Sequence, residues 1–356
     1  MLRRCVLALT MVFGLSFFSL NSLAQSAMLD LPRESQESKV MQRIGITDIT
    51  ITYHRPRVKG RQIWGKVVPY GEVWRAGANE NTTITFTDAV AIEGKHLPAG
   101  TYGLFMLPNQ NEWTVIFSKI DTAWGSFTYK EADDALRVTI KPQTADFHEA
   151  LTYDFDDLNP NSTVATLRWE KVAVPFKIDV DVHEIVKANL PNQLQGLNQY
   201  YWESWDDAAG YLLAQKYDLD DALKYEEISI KTEPRFDNYL DKSQILDAMG
   251  RKDQAEAAKK EALAIATPRQ LYAYGRQLQG EKKQDEAFAL FRQAAQKDPN
   301  DWQVHDGVAR IYSAQGNFDA ALKEMKLSLE GAPENQKIFV EPLVKKLEAK
   351  QDVNLN

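Results

Sequence analysis

The chain has 356 residues, of which 44% are hydrophobic and 26% are charged, and it carries a formal net charge of −8 at pH 7. An acidic chain repels phosphate backbones, and no block of Lys or Arg reverses this locally, so nucleic-acid binding is disfavoured. The hydrophobic content suffices for a buried core, and the length predicts two domains.

The first 24 residues have the three-part pattern of a secretory signal peptide. Arg3 and Arg4 precede an apolar run from Cys5 to Leu20, and a small residue, Ala24, ends the segment. The run is shorter than the roughly 20 residues that a membrane span requires. The pattern therefore predicts export with cleavage after Ala24, and a mature protein in the periplasm or outside the cell.

The only cysteine, Cys5, lies inside this predicted leader. An exported mature chain would hold neither a thiol nor a disulfide, so its fold would depend on the burial of apolar side chains. No later segment of the sequence is long and apolar enough to predict a membrane span.

Residues 25–182 are predicted to form an antiparallel β-sandwich domain. From about Ile44 to Val182, segments rich in Val, Ile, Thr and aromatic residues are separated by Gly, Pro and Asn breaks rather than by helices. Closely spaced strands of this kind are typical of an antiparallel sandwich. Hairpin turns are expected at residues 93–95, 98–100 and 108–111. The predicted strands are ITDITITYH, TTITFTDAVAI, GTYGLFML, EWTVIFS, LRVTIKPQ and STVATLRWEKVAV.

After His183 the pattern becomes helical. Residues 183–200 are predicted to be a helical linker, in which HEIVKANL precedes Pro191. Four similar segments follow, and their closing prolines are separated by 34, 31 and 34 residues, which indicates a repeat architecture. The segments align on Ala222, Ala255, Ala287 and Ala321, and they close at Pro234, Pro268, Pro299 and Pro333.

These segments resemble tetratricopeptide repeats, whose period is about 34 residues. The resemblance is weaker in the second repeat, where Lys242 and Ser243 stand at the large and small positions of the first helix. It implies an α-solenoid over residues 201–350, ending in a capping helix, and a groove that binds a protein or peptide segment. The last repeat supplies Val308, Ala309, Tyr312, Gly316, Ala321 and Pro333, and the third supplies Tyr274, Gly275, Ala287, Phe291 and Pro299.

No motif for catalysis or metal binding occurs in the sequence. It holds no Gly-rich phosphate loop, no G-x-S-x-G elbow and no Cys pair, and its five histidines share no ligand spacing. The carboxylates Asp154, Asp156 and Asp157 lack the Gly and the closing Glu of a calcium loop, so a solvated strand end is favoured there. The sequence therefore predicts no cofactor and no metal site.

A basic and aromatic band lies between two predicted strands, in YHRPRVKGRQIWGKVVPYGEVWRAGANENTT. Arg presents a planar fork that suits a carboxylate or a phosphate, and Trp offers a flat face to a sugar ring or a cation. Loops crowded with such groups are common locations of binding sites. The candidate ligand-binding residues are Arg55, Arg61, Trp64, Trp74, Arg75, Asn79 and Glu80.

A purely structural interpretation of the same band remains open. In that alternative Trp64 and Trp74 fill the core, and Arg75 pairs with Glu80 across the turn. Residues 77–79 would then supply unusual backbone angles, which Gly and Asn adopt most readily.

The band also carries a family resemblance. YHRPRVKGRQIWGKVVPYGEVWRAGANENTTITF, followed by LPAGTYGLFMLPNQNEWTVIFSK, resembles the signature of a family of uncharacterised exported bacterial proteins. Members of that family carry a domain of unknown function, often with tetratricopeptide repeats behind it. The resemblance covers roughly Asp30 to Asp181, and it implies the domain boundary and export but no activity.

These patterns favour an exported binding and scaffold protein, in which the solenoid binds a protein or peptide and the β domain binds an envelope ligand. One alternative is an enzyme of the β domain that acts on an envelope glycan, with Glu80 as acid or base. A glycosidase normally uses two carboxylates, and the sequence assigns no partner to Glu80, so binding is favoured over catalysis. The other alternative is a carbohydrate- or anion-binding module without chemistry.

Overall fold

The structure is a computed structural model, and it describes residues 32–354. The predicted leader, residues 1–24, lies outside the described residues. The chain divides into two compact units, of which the first ends at Val186 and the second begins at Lys187. No helix between residues 32 and 354 has the length and the apolar character that crossing a membrane requires.

The first unit is an antiparallel β-sandwich, as the sequence predicts. Its six-stranded sheet has the order β1-β2-β3-β6-β7-β8, and its four-stranded sheet has the order β5-β4-β10-β9. The strands are β1 (Gln36–Ile44), β2 (Thr47–Arg55), β3 (Thr83–Phe86), β4 (Val90–Ile92), β5 (Lys95–Leu97), β6 (Gly100–Leu107), β7 (Trp113–Ser118), β8 (Asp134–Ile140), β9 (Gln143–Asn159) and β10 (Ser162–Asp179).

Alternating side chains of both sheets form the core of this unit. In β2 the side chains of Ile49, Ile51 and Tyr53 are buried, while the residues between them are partly exposed, as the period of a strand requires. Phe117 of β7 meets Phe176 of β10 edge to face, with ring centroids 5.9 Å apart. Burial of this apolar surface, at about 25 cal/mol per Å², is the main force that holds the two sheets together.

Two of the three predicted hairpin turns are confirmed. Residues 93–94 join β4 to β5, and residues 108–112 join β6 to β7, and in both cases the flanking strands pair with each other. The prediction of a hairpin at residues 98–100 is wrong, because β5 pairs with β4 whereas β6 pairs with β3 and β7. The chain crosses from one sheet to the other at that point.

A long connection, residues 56–82, joins β2 to β3 and is tied to neighbouring strands at several points. The backbone N–H of Val58 donates to the carbonyl of Glu149 at 2.7 Å, and Trp74 and Met106 exchange two backbone hydrogen bonds of 2.8 Å. Further along, the Asn81 N–H donates to the carbonyl of Ala123 at 3.0 Å. The connection contains most of the basic and aromatic band, so these bonds determine where the candidate site lies.

The second unit is the helical solenoid that the repeats predict. Helices α2 to α9 form four antiparallel pairs, and α10 follows the last pair. Helix α1 (Val182–Gln193) begins in the first unit and ends in the second. The helices that follow are α2 (Trp202–Gln215), α3 (Leu219–Thr232), α4 (Phe236–Ala248), α5 (Lys252–Ile265), α6 (Pro268–Gly280), α7 (Gln284–Lys297), α8 (Trp302–Ala314), α9 (Phe318–Gly331) and α10 (Glu334–Glu348).

Small residues let these helices approach closely, and an aromatic ring fills the space they leave. A Cβ on Gly275 of α6 would lie 2.5 Å from the Phe291 ring, and one on Gly307 of α8 would lie 3.0 Å from it. Ala287 and Ala321 are fully buried. The tetratricopeptide pattern of small and aromatic residues therefore acts here through steric fit.

Candidate anion-binding pocket

Four tryptophans pack together, and two of them belong to the long connection. The ring centroids of Trp64 and Trp113 lie 4.9 Å apart, and those of Trp64 and Trp74 lie 5.9 Å apart, with the rings edge to face in both cases. Trp74 stacks on Trp169 at 5.9 Å, and its Nε1 donates to the carbonyl of Gly77 at 3.1 Å. Trp64 is 9% exposed, so its ring belongs to the core.

A cavity of about 480 Å³ opens beside this cluster. Its charged lining consists of four cations and one carboxylate, in a chain that is acidic as a whole. Trp74 and Trp169 contribute to the wall. The charged lining residues are Arg57, Lys59, Arg61, Arg75 and Glu34.

Three of these four cations have partners in the structure. Lys59 forms an ion pair with Glu34, and the Nε of Arg57 lies 3.5 Å from a carboxylate oxygen of Glu149. Arg61 donates to the carbonyl oxygens of Arg57 at 2.6 Å and of Val58 at 3.1 Å. These side chains therefore shape the wall of the cavity and set its charge.

Arg75 differs from its neighbours because its guanidinium has no ion pair among residues 32–354, and its buried Nε has no hydrogen-bond partner there. Burial lowers the pKa of Arg75, and the charge of Glu80 opposes this shift. An arginine stays protonated in proteins at ordinary pH, so the side chain offers an unpaired positive charge and unused donors to the cavity.

Glu80 pairs elsewhere, so the structural alternative of an Arg75–Glu80 ion pair is wrong. Its carboxylate pairs with Arg33 and lies 3.3 Å from the Nε2 of His54, beside a second cavity of about 540 Å³. Partial burial raises the pKa of Glu80, but hydrogen bonds from the backbone and Arg33, with the charges of His54 and Arg33, lower it overall. A carboxylate that stays ionised is a poor proton donor, which disfavours Glu80 as a general acid.

Residues 76–79 hold the connection in an unusual backbone conformation. Ala76 and Asn79 have φ angles of +52° and +56°, and a Cβ on Gly77 would lie 2.5 Å from the Oγ1 of Thr82. Asn79 donates from Nδ2 to the carbonyl of Ser35 at 3.0 Å, which ties this turn to the segment before β1. Its amide therefore has a structural partner while it lines the cavity.

The structure brings four of the seven candidate residues to one cavity. Glu80 lies beside the neighbouring cavity, and Trp64 lies in the core. Arg55 donates from Nε to the carbonyl of Leu151 at 3.0 Å and is not part of the cavity wall. The four residues that line the cavity are Arg61, Trp74, Arg75 and Asn79.

Two exposed aromatic residues, Phe127 near Arg75 and Trp124 under the guanidinium of Arg33, were missed by sequence reasoning. Trp124 is 48% exposed and Phe127 is 85% exposed, and both lie in the loop between β7 and β8. A Cβ on Gly125 would lie 2.7 Å from the Phe127 ring and 3.2 Å from the Nη1 of Arg75, so ring and guanidinium are neighbours. The segment TAWGSF repeats the aromatic and Gly composition of the band, and that similarity was the available signal.

Two family models match the chain. Residues 35–178 match the model described as a protein of unknown function (DUF2911), and residues 278–340 match a tetratricopeptide repeat model. The chain thus carries this domain of unknown function ahead of a tetratricopeptide repeat region, as the two resemblances in the sequence predict. No curated protein matches the chain.

Several solved structures are similar to part of the chain. The APC/C hetero-tetramer Cut9-Hcn1 is 14% identical with a TM-score of 0.31, and the match covers 47% of this chain and 33% of that one. YrrB, a TPR protein with an unusual peptide-binding site, is 15% identical with a TM-score of 0.27, covering 48% of this chain and 86% of that one. Yeast Tom70 is 13% identical with a TM-score of 0.27, and the match covers 45% of this chain and 42% of that one. The chain thus spans about one third of the first of these structures.

Proposed function

We propose that the protein is an exported binding scaffold in which the repeats engage a protein or peptide segment and the β-sandwich binds an anionic group of an envelope component. The observation that carries the second part is Arg75, a partly buried guanidinium that forms no ion pair with any described residue, at a cavity lined by three further cations. A buried charge without a partner is costly, and an anionic ligand would remove that cost through charge-assisted hydrogen bonds.

The exposed aromatic residues support a ligand with a flat or apolar part beside its charge. Trp124 and Phe127 stand next to the charged groups, as aromatic rings do where sugars and cations are bound. An acidic envelope glycan, such as one that contains uronic acids, combines a carboxylate with sugar rings. We therefore expect preference for an anionic oligosaccharide over a neutral one of equal length.

Isothermal titration of the full chain with a uronic-acid oligosaccharide, a neutral oligosaccharide and inorganic phosphate tests this binding. Arg75→Gln keeps hydrogen-bonding capacity but removes the charge, and it should weaken binding of the acidic probe about 10- to 100-fold, as for a charge-assisted hydrogen bond. Arg43→Gln is the matched control, because Arg43 is exposed and pairs with Asp48. Equal binding of acidic and neutral probes, or unchanged binding by Arg75→Gln, would contradict the proposal.

For the repeats, the supporting features are the tetratricopeptide match and a groove along the first three helix pairs. The groove has a volume of about 810 Å³, and lysines and carboxylates are mixed around Tyr274. Mixed charge around an aromatic residue suits a peptide with both charge signs. Repeat stacks generally expose extended surfaces that bind such segments.

A photo-crosslinking residue placed at Gln244 tests this groove in cells. Gln244 is exposed in the groove, whereas Lys326 is exposed on α9 outside it, so the same residue at Lys326 is the control. We expect a discrete adduct from position 244 and none from position 326. Identical adducts at both positions would indicate nonspecific contact.

Export is part of the proposal and is supported by the pattern of residues 1–24. Mass spectrometry of the protein recovered from the cell envelope should give a chain that begins at Gln25. A mass that retains Arg3 and Arg4 would rule out the proposed cleavage.

A further inference from the structure

Three carboxylates from three helices meet in the first repeat. They belong to Asp206 of α2, Glu226 of α3 and Asp241 of α4, and one oxygen of each lies within 4.8 Å of the others. They are 20 and 15 residues apart in sequence, so the packing of the helices alone brings them together.

Glu226 is the unusual member of this group. It is 0% exposed, and apart from the side chain of Asp206, which lies within hydrogen-bonding reach, its carboxylate oxygens have no hydrogen-bond partner in the part of the chain that the structure describes. Two neighbouring buried polar residues are fully bonded, since Asn238 donates to the Oγ of Ser229 at 3.0 Å and Ser229 donates to the carbonyl of Trp202 at 3.0 Å. Buried carboxylates without partners are rare, because the cost of desolvation is then not compensated.

A comparison with the other repeats shows that a carboxylate is unusual at this position. Glu226 follows Ala222 by four residues, and the corresponding positions in the second, third and fourth repeats hold Lys259, Phe291 and Met325, of which the last two are buried. The helices therefore place the Glu226 side chain at a core position. At that position an apolar side chain would give more stability than an unpaired acid.

The first and third repeats also differ at a glycine of their first helix. In the third repeat the Phe291 ring lies 2.5 Å from the place of a Cβ on Gly275. The corresponding glycine of the first repeat is Gly210, and a Cβ there would meet no atom within 4 Å. The first repeat therefore lacks the close contact between glycine and ring that the third repeat has.

No lysine or arginine between residues 32 and 354 forms an ion pair with any of the three acids. The nearby Lys242 pairs with Glu227 instead, at 2.9 Å. Asp241 accepts a hydrogen bond from Gln244 at 3.3 Å, and one buried oxygen of Asp206 has no partner. Three acids therefore face one another without a paired cation.

We propose that Asp206, Glu226 and Asp241 bind one hard divalent cation of the Ca²⁺ class. Carboxylate oxygens are the ligands that such ions prefer, and 4.8 Å is about twice the Ca–O distance of roughly 2.3–2.6 Å, so one ion reaches all three side chains. Two free oxygens let Glu226 bind in a bidentate manner, and water completes the coordination. The ion links α2, α3 and α4, and therefore joins the first repeat to the second.

The test uses the full chain, freed of metal with EDTA and dialysed. Titration calorimetry with Ca²⁺, Mg²⁺ and Mn²⁺ should give one bound ion per chain. At an ion concentration 100-fold above Kd, the melting temperature should rise by about 5–10 °C, because ligand binding stabilises the folded state. No binding of any of the three ions would overturn the proposal.

Variants locate the ion. Glu226→Gln keeps the shape of the side chain and should abolish both the heat of binding and the rise in melting temperature. Asp206→Asn and Asp241→Asn should each weaken binding at least about 10-fold, and they serve as independent evidence if Glu226→Gln fails to fold. Asp207→Asn is the control, because Asp207 is exposed on the same helix and should bind as the wild type does. An unchanged response in Glu226→Gln, or equal loss in Asp207→Asn, would overturn the assignment.

Discussion

The first and the last repeats of the solenoid both bury acidic side chains, but they treat them differently. In the last repeat Asp306 and Arg310 are 3% and 5% exposed and pair with each other within one helix. In the first repeat Glu226 faces two other acids and forms no ion pair with a lysine or arginine among the described residues. Repeats with the same backbone architecture can thus serve as a closed structural element at one end and as an open site at the other.

The C-terminal segment completes the closed end. Arg310 also donates to the carbonyl of Val353 at 3.3 Å, and Asn354 donates to the carbonyl of Arg310 at 2.9 Å. Ser313 donates to Asp352 at 2.7 Å. Every charge of the buried pair is therefore matched by the protein itself, and no ligand is needed there.

Breaking this pair should produce the largest loss of stability. Asp306→Asn leaves Arg310 buried without its counter-charge, which should cost about 3–5 kcal/mol of unfolding free energy. Chemical denaturation of the full chain measures the loss. Lys337→Ala, which removes an exposed pair with Glu334, is the control and should cost less than about 1 kcal/mol. A loss of similar size in both variants would mean that the buried pair contributes no more to stability than the Lys337–Glu334 pair does.

The helix packing itself should be equivalent at the two ends. Ala222 and Ala321 occupy corresponding positions and are both fully buried, so a Phe at either should cost about 1–3 kcal/mol through overpacking. An exposed residue, Lys326, serves as the control, because Lys326→Ala should change stability little. If neither Phe variant differs from this control in denaturation, the helices do not pack as described.

The acidic cluster of the first repeat should make the unfolding free energy depend on pH in metal-free buffer. Burial, together with the charges of Asp206 and Asp241, raises the pKa of Glu226 to about 10, and the nearby Lys242 lowers it only in part. A carboxyl group with a raised pKa stabilises the folded state at low pH, and this contribution is lost as the pH rises towards the folded-state pKa. We expect stability to fall by at most about 1.4 kcal/mol per pH unit between pH 6 and 9.

Urea denaturation at several pH values in that window measures the slope. Glu226→Gln removes the titrating group and should flatten the profile, whereas Asp207→Asn should leave it as in the wild type. Burial also raises the pKa values of Asp206 and Asp241 to about 6, so these groups contribute mainly below pH 6. Parallel profiles for wild type and Glu226→Gln would show that Glu226 does not hold its proton in this range.

The sequence predicts the sandwich and the solenoid because both depend on periodic patterns of apolar residues. Apart from the strand end at residues 154–157, β9 was missed because QTADFHEALTYDFDDLN carries many polar residues, and as the end strand of its sheet it is largely exposed. The hairpin at residues 98–100 was predicted wrongly because a turn motif does not reveal which strands pair. Local composition therefore predicts where strands and helices lie along the chain better than it predicts which strands pair with each other.

The site residues depend on long-range packing, and there the sequence is less informative. Trp64 and Arg75 both lie in the same basic and aromatic band of the sequence. The Trp64 ring nevertheless lies in the core, whereas the Arg75 side chain lines a cavity. The carboxylates of the first repeat follow no metal-binding motif, so the sequence predicts no metal site. One signal was present, because Glu226 stands in the repeat position of Phe291, and an acid at an apolar position suggests a function.

The smallest effect on stability is expected at Arg75, and it separates a binding residue from a structural one. The Arg75 guanidinium has no ion pair among the described residues, so its loss removes no paired charge. Arg75→Gln should therefore lower the unfolding free energy by no more than about 0.5 kcal/mol, because it removes a partly buried charge without a partner. The same substitution at Arg310 leaves Asp306 buried and unpaired, and should cost about 3–5 kcal/mol. Denaturation curves of the two variants, measured beside the binding titrations, make the distinction. A large loss of stability in Arg75→Gln would place this guanidinium in a structural network, whereas a stable variant that no longer binds the acidic oligosaccharide would identify it as a ligand contact.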